Sequence, residues 1–461
     1  MTLALSAEPG PDAGTTSEQR VESEVLARVR EGITGRLEER AETEVTGQDQ
    51  EWIESLVNSE IERYHRSAPH LGRQVLDRDR YQLVARRVLF RVTPLGPLSG
   101  LLADPLVEEV VVNGPQEVLV LRDGVQAPAG VAFDSEEELI QVVRQMLGDG
   151  SSRLDRASPM VTATLADGSR LNAVLPPIAM PMAVTIRRHQ LARFGRLADL
   201  AKAGTLPWEL VPFLQAAVRA QLNLVVSGGT GTGKTTLLRL LIREVPEVER
   251  VITVEDQREL HLRTSGGGRP NTISLEAREA NTEGRGEVTI QQLVRNALRQ
   301  RPDRIFVGES RGAEALDVLD AMGTGHDGSG TTVHANSVRD ALTRLAALVR
   351  RHPAQMRAEP NAVARELAAK LDLVIHLVRY RQVDGRDRRV VSAVGLVAGQ
   401  VEGDTPVVEP LCQYDRARGG WRWSTQRLDD FPPKLAGKFQ AAGIDLDQVV
   451  GDLGRTGSAA P

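Results

Sequence analysis

The stretch GGTGTGKT, Gly228 to Thr235, has the residue types and spacing of a phosphate cradle. Glycines let backbone N–H groups curl round phosphate oxygens, a lysine brings a point charge to the β and γ positions, and the next hydroxyl can hold Mg2+. The pattern G-x-x-x-x-G-K-[ST] is complete. Its context is also right, with the apolar run LNLVV before it and TTLLRLLI, at helical spacing, after it. A helix opening at the lysine adds the partial positive charge of its N-terminus. Gly228, Gly229, Thr230, Gly231, Thr232, Gly233, Lys234, Thr235 and Thr236 are therefore the expected phosphate-binding residues, with Thr235 on the metal ion.

Cleaving a nucleoside triphosphate also requires acids. VITVED ends in Glu255 and Asp256, and RIFVGE ends in Glu309. In a parallel α/β sheet ligands lie beyond the carboxyl ends of the strands. Two such ends bearing carboxylates and a third bearing the phosphate loop should converge on one site, with Glu309 supporting Mg2+ partly through water. The run TGHDGSGTTVHANS places His326 and His334 eight apart. Two imidazoles with one aspartate, Asp327, and no cysteine nearby make a poor zinc site. A structural histidine remains open for either one. The other reading is a polar strand end that touches the terminal phosphate and moves when it leaves.

These groups need a scaffold, and the composition allows one. The chain has 461 residues, enough for two or three domains, and is 41% hydrophobic but only 3% aromatic, so aliphatic side chains must fill its cores. Net charge is −5, from 57 basic and 62 acidic residues, which does not suggest a protein that coats nucleic acid. A DNA-stimulated helicase would want a basic groove with stacking aromatics, and the low aromatic content counts against it. Cys412 is the single cysteine, so neither an internal disulfide nor a Cys-x-x-Cys zinc module is available, and a reducing compartment fits. No apolar run approaches the roughly 18 to 20 residues of a membrane span, and the N-terminus lacks the pattern of a secretory signal. The expected location is the cytoplasm, with any membrane contact made through partners.

Along the chain, residues 1–50 read as mostly disordered, although a helix over Ser17 to Glu42 fits the pattern, and residues 51–97 read as helical. Residues 98–200 read as a small α+β domain, with hairpin turns at Asn113-Gly114 and Asp167-Gly168. From 201 to 385 strands alternate with helices, which argues for a parallel sheet covered on both faces. Residues 264–286 read as a polar, mobile insertion holding Gly266 to Gly268. Residues 386–461 read as a strand-rich extension with a terminal helix and a frayed end.

Four segments in order resemble the boxes of one family. SGGTGTGKTT looks like its Walker A, VITVEDQREL its Asp box, RPDRIFVGESRGAEALDVL its Walker B region, and TGHDGSGTTVHANS its His box. Together they resemble the secretion ATPases of the type II/type IV superfamily. LLADPLVEEVVVNGPQEVLVLRDG, ASPMVTATLADGSRLNAVLPP with VTIRR, and GEVTIQQLVRNALRQRPDRI are similar to the CpaF/TadA branch that serves tight-adherence (Flp) pili. The resemblance implies a RecA-like P-loop NTPase domain preceded by an α+β N-terminal domain, ATP and Mg2+ as ligands, and a homohexamer acting on inner-membrane platform proteins. It implies that Glu255 polarises the attacking water and that Glu309 supports Mg2+ and water in the Walker B role, with the base function left open between the two, and that His334 contacts the γ-phosphate with His326 at the entrance of its loop. It also implies that Arg170, Arg187 and Arg188 reach the nucleotide from the N-terminal domain. Arg299 and Arg301 are weaker candidates. Pilus assembly or protein export is the implied function, with conjugative transfer of DNA or protein by the same fold as the alternative. Many relatives carry a four-cysteine zinc module, which one cysteine excludes here.

Overall fold

The computed structural model describes residues 17–40, 50–71, 75, 77–92, 95–122, 124–148, 153–165, 167–188, 194–262, 269–278, 280, 284–382, 387–424 and 431–451. The readings of residues 1–16, of Gly266 to Gly268 and of the last ten residues fall outside that set. The chain forms two compact units, residues 1–189 and 190–461.

The first unit opens with three helices, α1 (Ser17–Arg40), α2 (Gln50–Ser67) and α3 (Arg78–Val92). Apolar residues three and four apart build their shared core, in which Val25, Val29, Ile53, Val57, Val84 and Val88 are almost fully buried. A short helix α4 (Ser99–Ala103) leads to a six-stranded sheet. Its strands are β1 (Val107–Asn113), β2 (Val118–Arg122), β3 (Val125–Pro128), β4 (Met160–Thr164), β5 (Arg170–Val174) and β6 (Ala183–Arg187). They are antiparallel in the order β3-β2-β1-β6-β5-β4. Period-two alternation puts Val110, Val112, Leu171, Ala173, Val184 and Ile186 on one face, which shares a core with Leu139 and Val143 of helix α5 (Glu136–Leu147). Ser135 caps α5 by accepting from the Glu138 N–H, and Glu136 to Glu138 lie in its first turn.

The second unit begins with α6 (Leu197–Lys202) and α7 (Leu210–Arg219). Then come β7 (Leu224–Gly228), α8 (Lys234–Arg243), β8 (Val251–Glu255), β9 (Thr272–Glu276), α9 (Ile290–Ala297), β10 (Arg304–Val307), α10 (Glu314–Gly323), β11 (Gly330–His334), α11 (Val338–Val349) and α12 (Pro360–Lys370). Strands β12 (Leu373–Arg381), β13 (Asp387–Glu402), β14 (Thr405–Asp415) and β15 (Gly420–Trp423) and helices α13 (Pro433–Ala441) and α14 (Leu446–Gly451) follow. All nine strands form one sheet in the order β15-β14-β13-β12-β7-β11-β10-β8-β9. From β12 to β9 neighbouring strands are parallel, as expected, and β13 to β15 extend the same sheet antiparallel. Helices cover both faces. Phe213, Leu237, Leu241 and Phe439 fill one layer, and Val294, Leu319, Leu345 and Leu367 fill the other.

Two expectations change. The segment read as a mobile insertion contains β9, whose TISLE sequence docks on the open edge of β8 with Glu255 opposite Glu276. Its β-branched and apolar residues supply the strand pattern, and an unpaired edge supplies the partner. The extension after residue 386 is part of the ATPase sheet, because β13 pairs along the full length of β12.

A buried polar network closes the edge where the parallel strands begin. The fully buried Asp372 receives Nζ of Lys434 at 2.8 Å, Nζ of Lys438 at 2.7 Å and the Asn223 N–H at 2.8 Å. The Asn223 side-chain oxygen accepts from the Gly328 and Ser329 N–H groups. Residues before β7, β11 and β12 and helix α13 are thus tied together. Among the described residues no helix is long and apolar enough to cross a membrane.

Candidate nucleotide site

The glycine-rich loop leaves the buried strand β7 and ends in α8, whose N-cap Gly233 is left-handed. Gly228 has φ +152°, and a Cβ there would run into the Leu377 carbonyl of the neighbouring strand, so no other residue fits this bend. Gly229 and Thr230 are exposed at the loop tip, while Thr232 is buried and donates to the Gly229 carbonyl at 2.9 Å. Lys234 is 8% exposed, and its ammonium also donates to that carbonyl, at 2.9 Å. Thr236, half-buried, lies one residue into the helix beyond Thr235.

Strand register brings the other predicted groups to this loop. Gly228 ends β7, and His334 ends β11 directly beside it. Glu255 ends β8, and Glu309 lies two residues beyond the last residue of β10, the strand between β8 and β11. The His334 Nε2 lies 3.5 Å from Lys234 Nζ and 3.0 Å from a Glu309 carboxylate oxygen. Burial and the Lys234 charge hold the His334 pKa below its usual value, against the pull of Glu309.

Glu255 is 2% exposed. One of its oxygens accepts from the Glu259 and Leu260 N–H groups, and the other, Oε2, has no hydrogen-bond partner. Desolvation pushes its pKa up to about 7 despite those two donors. A carboxyl buried with one orphan oxygen at this pKa can exchange a proton near neutral pH.

Two residues that sequence reasoning passed over complete the cluster. Glu259 accepts from the Thr235 hydroxyl at 2.9 Å. Arg311 donates to Glu309 at 2.7 Å and lies 3.7 Å from Asp256, so one guanidinium spans both strand ends. The available signal was their spacing, four residues after Glu255 and two after Glu309.

Other candidates lie elsewhere. Strand β11 separates His326 from His334 by its own length, roughly 13 Å at about 3.3 Å per residue, so the two imidazoles cannot share a ligand. His326 sits at the far edge of the sheet, where its carbonyl accepts from Ser329, and Gly328 and Gly330 belong to that edge rather than to the phosphate loop. Arg299 and Arg301 precede β10 on the same far edge. In the first unit, Arg170 of β5 stands directly across from Arg187 of β6, and Glu109 of β1 lies on the other side of Arg187. Arg188 is occupied by the Asp104 carbonyl.

The family model described as type II/IV secretion system protein matches residues 92–418. The chain is 38% identical over 309 residues to a Mycobacterium tuberculosis protein named for conjugal transfer, a match that covers 66% of this chain and 85% of that one. It is 32% identical over 323 residues to the type IV secretion system protein VirB11 of Brucella suis biovar 1, covering 64% and 86% respectively. Among solved structures, the VirB11 ATPase of the Brucella suis type IV secretion system, crystallised with sulphate, aligns at 30% identity over 66% of this chain and 97% of that one, with a TM-score of 0.35.

Proposed function

The chain belongs to the type II/IV secretion system protein family and is an ATP hydrolase of it, and from that premise we propose that it is a cytoplasmic motor of the CpaF/TadA type. It works as a homohexamer against inner-membrane platform proteins to drive pilus assembly or protein export. The observation that carries the site assignment is the meeting of Lys234, Glu309 and His334 beside the glycine loop.

In this reading the loop from Gly228 to Thr236 holds the phosphates, with Lys234 turning from the Gly229 carbonyl to the β and γ oxygens. Glu255 takes the proton of the attacking water, a role its pKa of about 7 suits. Glu309 and Arg311 orient that water and its charge, and His334 contacts the γ-phosphate. Arg170 and Arg187 would be further cations for the phosphates. Hard oxygens at Thr235, Glu259 and Glu309, with the orphan oxygen of Glu255 close by in the same cluster, fit Mg2+. Thr235 directly and Glu309 through water would hold it, and when bound it neutralises phosphate charge.

A second reading has specific support, since the relatives are named for conjugal transfer and type IV secretion. In it the same ATPase moves DNA or protein through a conjugation channel. A pull-down from native membranes with Glu309→Gln protein held in ATP separates the two. Recovery of a multi-pass membrane protein with small pilin-like polypeptides supports the pilus motor. Recovery of conjugation-channel proteins moves the function to the second reading, and recovery of no membrane protein overturns both.

A further inference from the structure

Strand β12 runs on past the phosphate loop. Its last pairing with β7 is Leu377 beside Gly228, yet the strand continues to Arg381 as a ladder with β13. The overrun carries Arg379, whose guanidinium lies against the loop. A Cβ on Gly231 would come within 3.1 Å of its Nη1. Gly231 occupies a position the phosphate-loop pattern leaves free, and its φ of +69° together with this cation explains why it is glycine.

Arg379 is not committed to structure. Its ion pair with Asp387 is loose, at 3.7 Å, and the guanidinium is 41% exposed, so the pair contributes little. Directly across the ladder stands Arg389, and Arg381 lies on the same face. Together they make the end of this hairpin basic beside the glycine loop. The glycine loop has the pattern of a phosphate cradle, and β12 flanks it on the side away from β11.

We propose that Arg379 is a nucleotide-binding residue, donating guanidinium N–H groups to non-transferred phosphate oxygens from the flank of the loop opposite His334. The inference rests on the reading of Gly228 to Thr236 as the nucleotide site. Glu255, Glu309 and His334 gather across β8, β10 and β11, where the bond is cut, while Arg379 stands on the other side of β7. It therefore holds ADP and ATP alike, and its loss shows in KM rather than kcat.

The test is titration of fluorescent ADP and ATP analogues into the full chain, alongside steady-state kinetics. Arg379→Gln should weaken both nucleotides about tenfold, with Arg379→Lys recovering part of the loss and Asp387→Asn staying within about twofold of the parent. ADP affinity unchanged in Arg379→Gln overturns the proposal. So does a loss confined to ATP, or an equal loss in Asp387→Asn, which would make Arg379 only a fastener of the hairpin. Lys234→Ala is the control. If it binds ADP normally, the nucleotide site itself is misassigned and the proposal falls with it.

Discussion

The Nε2 of His334 stands 3.0 Å from a carboxylate oxygen of Glu309. It also lies 3.5 Å from the Lys234 ammonium. A neutral imidazole offers either a proton or a lone pair at Nε2, not both. With the proton there it faces the Glu309 carboxylate, and without it the nitrogen accepts from Lys234. In the proposed reading a γ-phosphate that takes the Lys234 ammonium for itself leaves His334 facing Glu309 alone, which would let the histidine register the terminal phosphate. His334→Ala should therefore lower kcat by about 10- to 100-fold while ADP affinity stays within about twofold. Equal loss of ADP affinity in a binding titration would place His334 among the residues that simply hold the loop.

Lys234 and Glu309 separate binding from turnover. Lys234→Ala should reduce nucleotide affinity by about 100-fold or more, because a charge-assisted contact to two phosphates is lost. Glu309→Gln should bind ATP at close to the parent affinity and lose turnover by about 100-fold or more. Isothermal titration and a phosphate-release assay measure the two quantities. Normal turnover in either variant sinks the assignment.

Glu255 gives a pH dependence of known sign. Its folded pKa is raised from 4.5 to about 7, so the folded chain holds a proton that the unfolded chain has released between those values. Stability from this group is full below pH 4.5 and is lost as pH rises through about 7, a change on the order of 3 kcal/mol. Glu255→Gln should be more stable than the parent at pH 8 and show a smaller advantage at pH 5, while losing ATPase activity. The activity of the parent should rise with pH through about 7 as the base ionises. Urea melts and kcat/KM profiles across this range check both, and a flat profile below pH 8 would remove Glu255 from the base role.

The Asp372 network should be costly to break from one side. Asp372→Ala leaves Lys434 to backbone carbonyls and Lys438 to Asp327, and Lys438→Met leaves the fully buried carboxylate with one cation. Each should destabilise the second unit by about 3 to 5 kcal/mol. Chemical denaturation measures this, and a change under about 1 kcal/mol in both variants would show that water replaces the lost partners.

The parallel sheet and the meeting of the candidate groups were legible because those groups sit at strand ends, and strand ends are marked by short apolar runs. GGTGTGKT, VITVED, RIFVGE and GTTVHA each gave both the element and the residue it presents. Pairing order was not legible in the same way. Nothing local in TISLE states that it adds to the edge of β8, or in RYR that β12 overruns the loop, since both depend on partners far along the chain. The two histidines show the same limit. Eight residues look close in sequence, but a strand between them sets them at opposite ends of the sheet. Arg311 and Glu259 were missed because a charged residue just past a strand reads as solvated until its partner is placed.

The clamp at Asp372 also bears on the order in which the molecule is made. A ribosome delivers β7, β11 and β12 long before residues 434 and 438, so a nascent chain that has already laid down the nucleotide strands carries a buried carboxylate still waiting for both its cations. Closure of this edge of the sheet is thereby deferred until α13 has been made, and a chain that stops short of that helix keeps a buried carboxylate without its two cations.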